Sequence, residues 1–416
     1  PVLWYMSTWT RRRWLCLLGT AGVGGIAGCS SLEGGSSDGN ATPNDNATSG
    51  GETSADGETT SDGQDASGDG GVPTFQYDAA NTGANPDATG PQAPISERWA
   101  FQTDDVVLSS PAVVEGTVYV GSADNNVYAI SADDGTEQWA FQTEGGVGSS
   151  PTVVDGTVYV GSLDNSVYAL SAEDGTEQWT FQAQRSVVSS PTVVDGTVYV
   201  GSEDGSLYAL SAEDGTEQWT FDTEDLVQWS SPAVADGTVY IGSADRNLYA
   251  VSAADGTEQW AFQTELSLGS SSPVAVDDTV YIRDNSSIRA ISADDGTERW
   301  ASDVTTGAGM RPSPAVVDGT VYAGGPFGTL HAISAEDGTE QRTFQTERPL
   351  DGLPAVAGDT VYIGGANGNV NAISTADGTE RWAFQTGDRV YSSPAVVDGT
   401  VYVGSADNSV YALTGE

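Results

Sequence analysis

Few side chains in this sequence can do covalent or redox chemistry. It holds two cysteines, Cys16 and Cys29, and one histidine, His331. Cys29 closes the run Ile26-Ala27-Gly28-Cys29, the pattern of a lipoprotein box: small residues admit a peptidase and the thiol takes a lipid. Ahead of it stands Thr10-Arg11-Arg12-Arg13-Trp14-Leu15, a twin-arginine export pattern with tryptophan where phenylalanine is usual. The apolar run from Leu15 to Gly28 is too short to cross a bilayer at about 20 residues per span. Residues 1–28 therefore read as a removable signal peptide and Cys29 as the lipid attachment site. That leaves no thiol for a disulfide. His331, isolated in a strand column, reads as a packed substitution, and no catalytic residue is expected. The many Asp-Asn and Asp-Gly pairs fall at hairpin positions, where turn chemistry accounts for them, so no metal site is expected.

The remaining candidates are arginines. All 14 basic residues are arginine, and three of these lie at positions 11–13. Arg185, Arg311, Arg348 and Arg389 fall in segments that vary between repeats, and a guanidinium fork suits carboxylates. With Trp229 and Tyr391 they form a candidate partner-binding set of interface anchors. The alternative is that these arginines balance local acid on the rim, where ion pairs are weak.

A repeat positions these residues. Proline recurs at 111, 151, 191, 232, 273, 314, 354 and 394, in steps of 40 or 41. Each unit carries four short apolar runs separated by turn signals, which predicts four strands and no helix. The tryptophan run appears first at Trp99, before any proline run, and the last unit lacks its own. The expectation is an all-β fold: an eight-bladed β-propeller of four-stranded antiparallel blades. The Trp99 strand completes the last blade and closes the ring, removing the exposed edge.

In such blades the loops between strands one and two, and three and four, share one face and hardly vary. The loops between strands two and three share the other face with the blade-to-blade connections. Those connections differ: Asp105-Val106-Val107-Leu108, Leu226-Val227-Gln228-Trp229 and Asp388-Arg389-Val390-Tyr391 are examples. A site needs different residues, so this variable face is where it is expected.

The chain carries 59 acidic residues and a formal charge of -45. Such self-repulsion destabilises a compact state unless salt screens it, and the Debye length falls to about 3 Å at molar salt. An acidic, lysine-free chain points to a halophilic source, such as a haloarchaeon. Nucleic acid is not expected as a partner, for want of a basic footprint. Residues 29–72 are Ser, Gly, Asp, Thr and Asn with little that is apolar, and read as a disordered tether. Asn40 and Asn46 there, and Asn285 in the repeats, are glycosylation candidates. Residues 73–98 regain aromatics and form a lead-in segment expected to pack on the propeller, residues 99–416.

The stretch Ala169-Leu170-Ser171-Ala172-Glu173-Asp174-Gly175-Thr176-Glu177-Gln178-Trp179 resembles the tryptophan-docking motif of quinoprotein (pyrroloquinoline-quinone-like) propellers. Ala, Gly and Trp keep the spacing, while Ser171, Asp174 and Thr176 replace the usual Asp, Thr and Lys. The resemblance implies that Trp99, Trp139, Trp179, Trp219, Trp260, Trp300 and Trp382 stack on the neighbouring blade's peptide and belt the ring. Arg342 takes the place of the eighth tryptophan.

That family holds quinone-dependent dehydrogenases and non-enzymatic scaffolds, among them a propeller lipoprotein of an outer-membrane assembly machine, so fold does not settle function. Its dehydrogenases typically use adjacent cysteines, a calcium and often a c-type haem, and this chain has neither a cysteine pair nor Cys-x-x-Cys-His. The expectation is an exported, lipid-anchored, extracytoplasmic scaffold with no cofactor, a monomeric propeller that binds a surface or membrane protein. A quinoprotein oxidoreductase and a glycan-binding surface module are the alternatives.

Overall fold

The computed structural model describes residues 71–416, apart from 285–286, 304–312, 347–349 and 351. These residues form eight antiparallel four-stranded sheets, the blades of a propeller, one of which carries a short fifth strand. Blade one, with strands Ala112–Val114, Thr117–Gly121, Asn126–Ser131 and Glu137–Gln142, sets the pattern. Its first hairpin turns at Glu115-Gly116, both in the left-handed region (φ 49° and 75°), which matches the strand twist. The eighth blade takes its fourth strand from Ile95–Gln102, paired antiparallel with Ser409–Gly415.

Each second strand is buried along its length because it is sandwiched between neighbouring blades. Two glycine columns make that sandwich close. A Cβ at Gly121 would lie 2.3 Å from Val147 Cγ1, so the valine of the next connection plugs the end of the strand. A Cβ at Gly175, in the left-handed region at φ 72°, would lie 2.7 Å from the Trp139 ring. That indole lies on the turn of the next blade and its Nε1 donates to Ala172 O at 3.0 Å. Trp99, Trp179, Trp219, Trp260 and Trp300 likewise donate to alanine carbonyls.

Two joints differ. Trp382 donates to Pro91 O at 3.0 Å, so the lead-in segment supplies the acceptor that a further turn would otherwise provide. In blade six, Arg342 Nη1 donates to the Thr375 and Ala376 carbonyls, and Phe344 packs at Gly378 where an indole would lie. Arg342 thus does the donor's part of the tryptophan's work.

An inner girdle also links the blades. Ser110 N donates to Ser150 Oγ at 2.9 Å, and the same bond repeats through Ser190, Ser231 and Ser272 to Ser313. Ser393 N donates to Ser110 Oγ at 2.8 Å across the seam. In blade seven Leu353 takes the serine's place, and Ser393 Oγ has no partner.

The first strand of each blade has one edge unpaired by its own sheet, and those edges face the axis. The lead-in segment, together with Val72 just ahead of it, supplies partners to them. Val113 N donates to Val72 O (2.7 Å), Val153 N to Pro73 O (2.7 Å) and Val234 N to Ala79 O (2.7 Å). Ala275 N, Val316 N and Val356 N donate to Ala80 O, Thr82 O and Gly83 O at 2.8–2.9 Å. Buried backbone donors need acceptors, and one segment meets this need in six blades.

Candidate functional site

Three side chains of the lead-in segment bond inner carbonyls around the axis. Asn81, 1% exposed, places Nδ2 within 3.1–3.3 Å of the Ser231, Pro232 and Pro273 carbonyls of blades four and five. Gln76 Nε2 donates to Pro314 O of blade six at 3.3 Å. Tyr77 OH donates to Pro394 O of blade eight at 3.4 Å and accepts from Val396 N at 3.1 Å. Burial pushes the Tyr77 hydroxyl far above the usual phenol range. Asp78 accepts from Thr82, yet burial pushes its carboxyl up to about 6.

On the variable face, aspartate and tyrosine clasp the connections of blades one to four and eight. In blade one Asp124 Oδ2 accepts from Tyr128 OH and from Asp104 N of the connection, both at 3.0 Å. Asp164, Asp204, Asp245 and Asp407 hold the same pair of donors. Burial first, then the carboxylate, pushes the Tyr128 hydroxyl up. The clasp is absent from blades five to seven, where Arg289, His331 and Asn371 replace the tyrosine. Arg289 bonds Asp284 and Glu298 instead, and His331 Nδ1 lies 2.6 Å from Glu340 Oε1. The Glu340 carboxyl lies below the ordinary range, held by Thr343 first and then His331.

Of the six residues singled out for partner binding, four are described: Arg185, Trp229, Arg389 and Tyr391. Arg389 Nη1 donates to Tyr391 OH at 2.9 Å, so these two act together beside blade eight. Trp229, in the connection to blade four, donates its backbone N–H to Gly269 O. Its ring reaches the connection to blade two, where a Cβ at Gly148 would be 3.0 Å from Cη2. A half-buried indole therefore spans from blade four towards blade two on the variable face. Arg185 is exposed on the rim. Arg311, Arg348, Cys29, Asn40, Asn46 and Asn285 lie outside the described residues. The seven docking tryptophans are buried, 7–9% exposed, and hold blades together.

Sequence reasoning missed Arg283. It stands where seven other blades have the plugged glycine (Gly121, Gly161, Gly201, Gly242, Gly324, Gly364 and Gly404), and that broken column was the available signal. Arg283 is 2% exposed, and burial pulls its guanidinium down to about 10 against the raising effect of Asp284. The axial roles of Gln76, Tyr77 and Asn81 were also missed, because a segment that occurs once has no column to read. Among the described residues no group of three or more His, Cys, Asp or Glu is placed to hold a metal ion.

The repeats match the family described as outer membrane protein assembly factor BamB, over residues 93–146, 142–260, 188–325, 284–341 and 326–416. No curated protein matches the chain. BamB from Moraxella catarrhalis is similar at 17% identity and TM-score 0.68, over 77% of this chain and 99% of that one. A quinohemoprotein alcohol dehydrogenase from Comamonas testosteroni is similar at 17% identity and TM-score 0.70, over 83% of this chain and 81% of that one. A europium-containing methanol dehydrogenase is similar at 14% identity and TM-score 0.71, over 83% of this chain and 98% of that one. These likenesses show the propeller fold alone.

Proposed function

The chain belongs to the family described as outer membrane protein assembly factor BamB, and from that premise we propose that it is a non-enzymatic scaffold that binds another protein through its variable face. The bonds from the lead-in segment to the inner carbonyls carry this reading. Asn81, Gln76 and Tyr77 spend their donors on the inner carbonyls, and Trp229 reaches across between connections on the variable face. A planar quinone inside the ring would have to displace these side chains and leave buried carbonyls unserved, so the residues present do not fit it there. What remains free to differ is the rim, with Arg185, Trp229, Arg389 and Tyr391. The proposal extends to an exported, lipid-anchored protein at the cell surface, on the strength of the twin-arginine pattern and Cys29.

The test is a pair of measurements on the purified protein in molar potassium chloride. Incubated with pyrroloquinoline quinone and calcium, it should retain no quinone and reduce no dye with alcohols or sugars. Replacing Arg185, Arg311, Arg348 and Arg389 together should abolish partner capture. Replacing Arg299 and Arg381, which pair with Asp278 and Asp359 on the opposite face, should leave capture intact. Stoichiometric quinone with dye reduction would overturn the scaffold reading. Equal loss from both arginine sets would take the site off this face.

A further inference from the structure

We propose that Phe327 is the anchor by which the variable face docks on a protein partner, entering an apolar pocket with a basic rim; this rests on the scaffold reading and names its contact. Phe327 is 79% exposed, and only one other large apolar side chain among the described residues is exposed, Leu266 at 37%. It sits in the loop between strands two and three of blade six, at the position that holds the clasp aspartate in blades one to four and eight. His331 replaces the tyrosine of the same clasp. Both ends of the clasp are thus gone, and an aromatic ring stands out where a carboxylate turned inward.

The backbone there departs from the repeat as well. Phe327 has φ 61° and ψ 21°, a left-handed conformation that bulky residues disfavour, whereas the aspartates at this position are not in it. The strained loop is pinned, because Gln345 Nε2 donates to Phe327 O at 2.6 Å. A loop backbone held in one place loses little freedom on binding, which suits an anchor.

Charge decides what it meets. The equivalent loops of blades one to four and eight carry Asp124, Asp164, Asp204, Asp245 and Asp407, but those of blades six and seven, residues 325–328 and 365–368, carry no charge. On a chain of net charge -45, this is a neutral window in an acidic face. A partner seated on it therefore meets an apolar centre flanked by acid, which a pocket with arginine or lysine at its rim complements. A second copy of this chain is a poor fit. The copy's face repeats the same acid, so like charges would meet across the contact.

The experiment uses the full chain in its own host cells, with photoreactive benzoylphenylalanine placed at 327 and, separately, at 229 and 391. An adduct at 327 whose cross-linked peptide is apolar and flanked by arginine or lysine supports the proposal. Adducts at 229 or 391 without one at 327 overturn the anchor and leave the scaffold reading standing. No adduct at any position overturns both. An adduct at 327 to an acidic peptide, or to a second copy of the chain, overturns the anchor. Phe327→Asp, which restores the residue of the other blades, should weaken binding of the cross-linked protein about 30-fold, the loss of a strong anchor. The thermal midpoint should not fall. A lowered midpoint would mean that Phe327 serves the fold, and would overturn the proposal.

Discussion

Removing the Asn81 amide should loosen the ring more than any other single change in the lead-in segment. Nδ2 lies 3.3, 3.1 and 3.2 Å from the carbonyls of Ser231, Pro232 and Pro273. Two N–H groups can serve at most two of these acceptors fully at once. Each buried acceptor left unserved costs about 1–3 kcal/mol, so the loss should be roughly 2–4 kcal/mol, allowing for partial relaxation. Asn81 also has φ 59°, which asparagine tolerates and alanine does not. Asn81→Gly removes the amide but keeps the backbone easy, whereas Asn81→Ala adds about 1–2 kcal/mol of left-handed strain. Denaturant unfolding in molar potassium chloride, followed by tryptophan fluorescence, should rank wild type above glycine and glycine above alanine. Both variants within about 0.5 kcal/mol of wild type, the range of an ordinary surface change, would refute the axial role of this residue. A glycine variant weaker than the alanine one would refute the backbone argument.

Other expectations are as direct. With net charge -45, circular dichroism should show strand structure at molar potassium chloride and its loss in dilute buffer, and full stability in dilute buffer would count against the salt dependence. The folded chain holds the Asp78 proton more tightly than the unfolded one, with the carboxyl raised from 3.8 to about 6. Stability should therefore fall as pH rises through that window and level off above it, and Asp78→Asn should remove the slope. Trp139→Ala should cost about 3–5 kcal/mol, whereas Arg342→Ala, which removes an exposed donor, should cost about 1 kcal/mol; equal shifts in urea midpoint would contradict the reading that Arg342 supplies the donor alone. Cys29→Ser should move the exported protein from the membrane fraction to the soluble one, and retention in the membrane would reject lipid attachment there.

The repeat was legible because each blade solves the same local problem. The glycine at 121 and its equivalents admit a valine or leucine, the glycine at 175 and all but one of its equivalents admit an indole, and Asp-Gly or a close variant turns the hairpins; recurrence in the sequence exposes all three. The variable rim was legible for the converse reason, as what fails to recur. The sequence could not say which of its residues meet. Arg389 and Tyr391 are two positions apart and bond, whereas Trp229 reaches Gly148 across a gap of blades that only the curvature of the ring closes.

Sequence by itself determined the class of fold, the number of blades and the order of strands, because hydrophobic period and turn chemistry act over a few residues and were written eight times. Tertiary structure alone decided the fate of what was written once. Residues 72–91 acquire their role only when eight inner edges converge on an axis and present carbonyls and N–H groups that need partners. Arg342 replaces an indole because two carbonyls of the next blade await a donor, and Phe327 stands in solvent because its clasp is gone at both ends. Contacts between positions hundreds of residues apart carry no local pattern, so they emerge only once the ring sets them side by side.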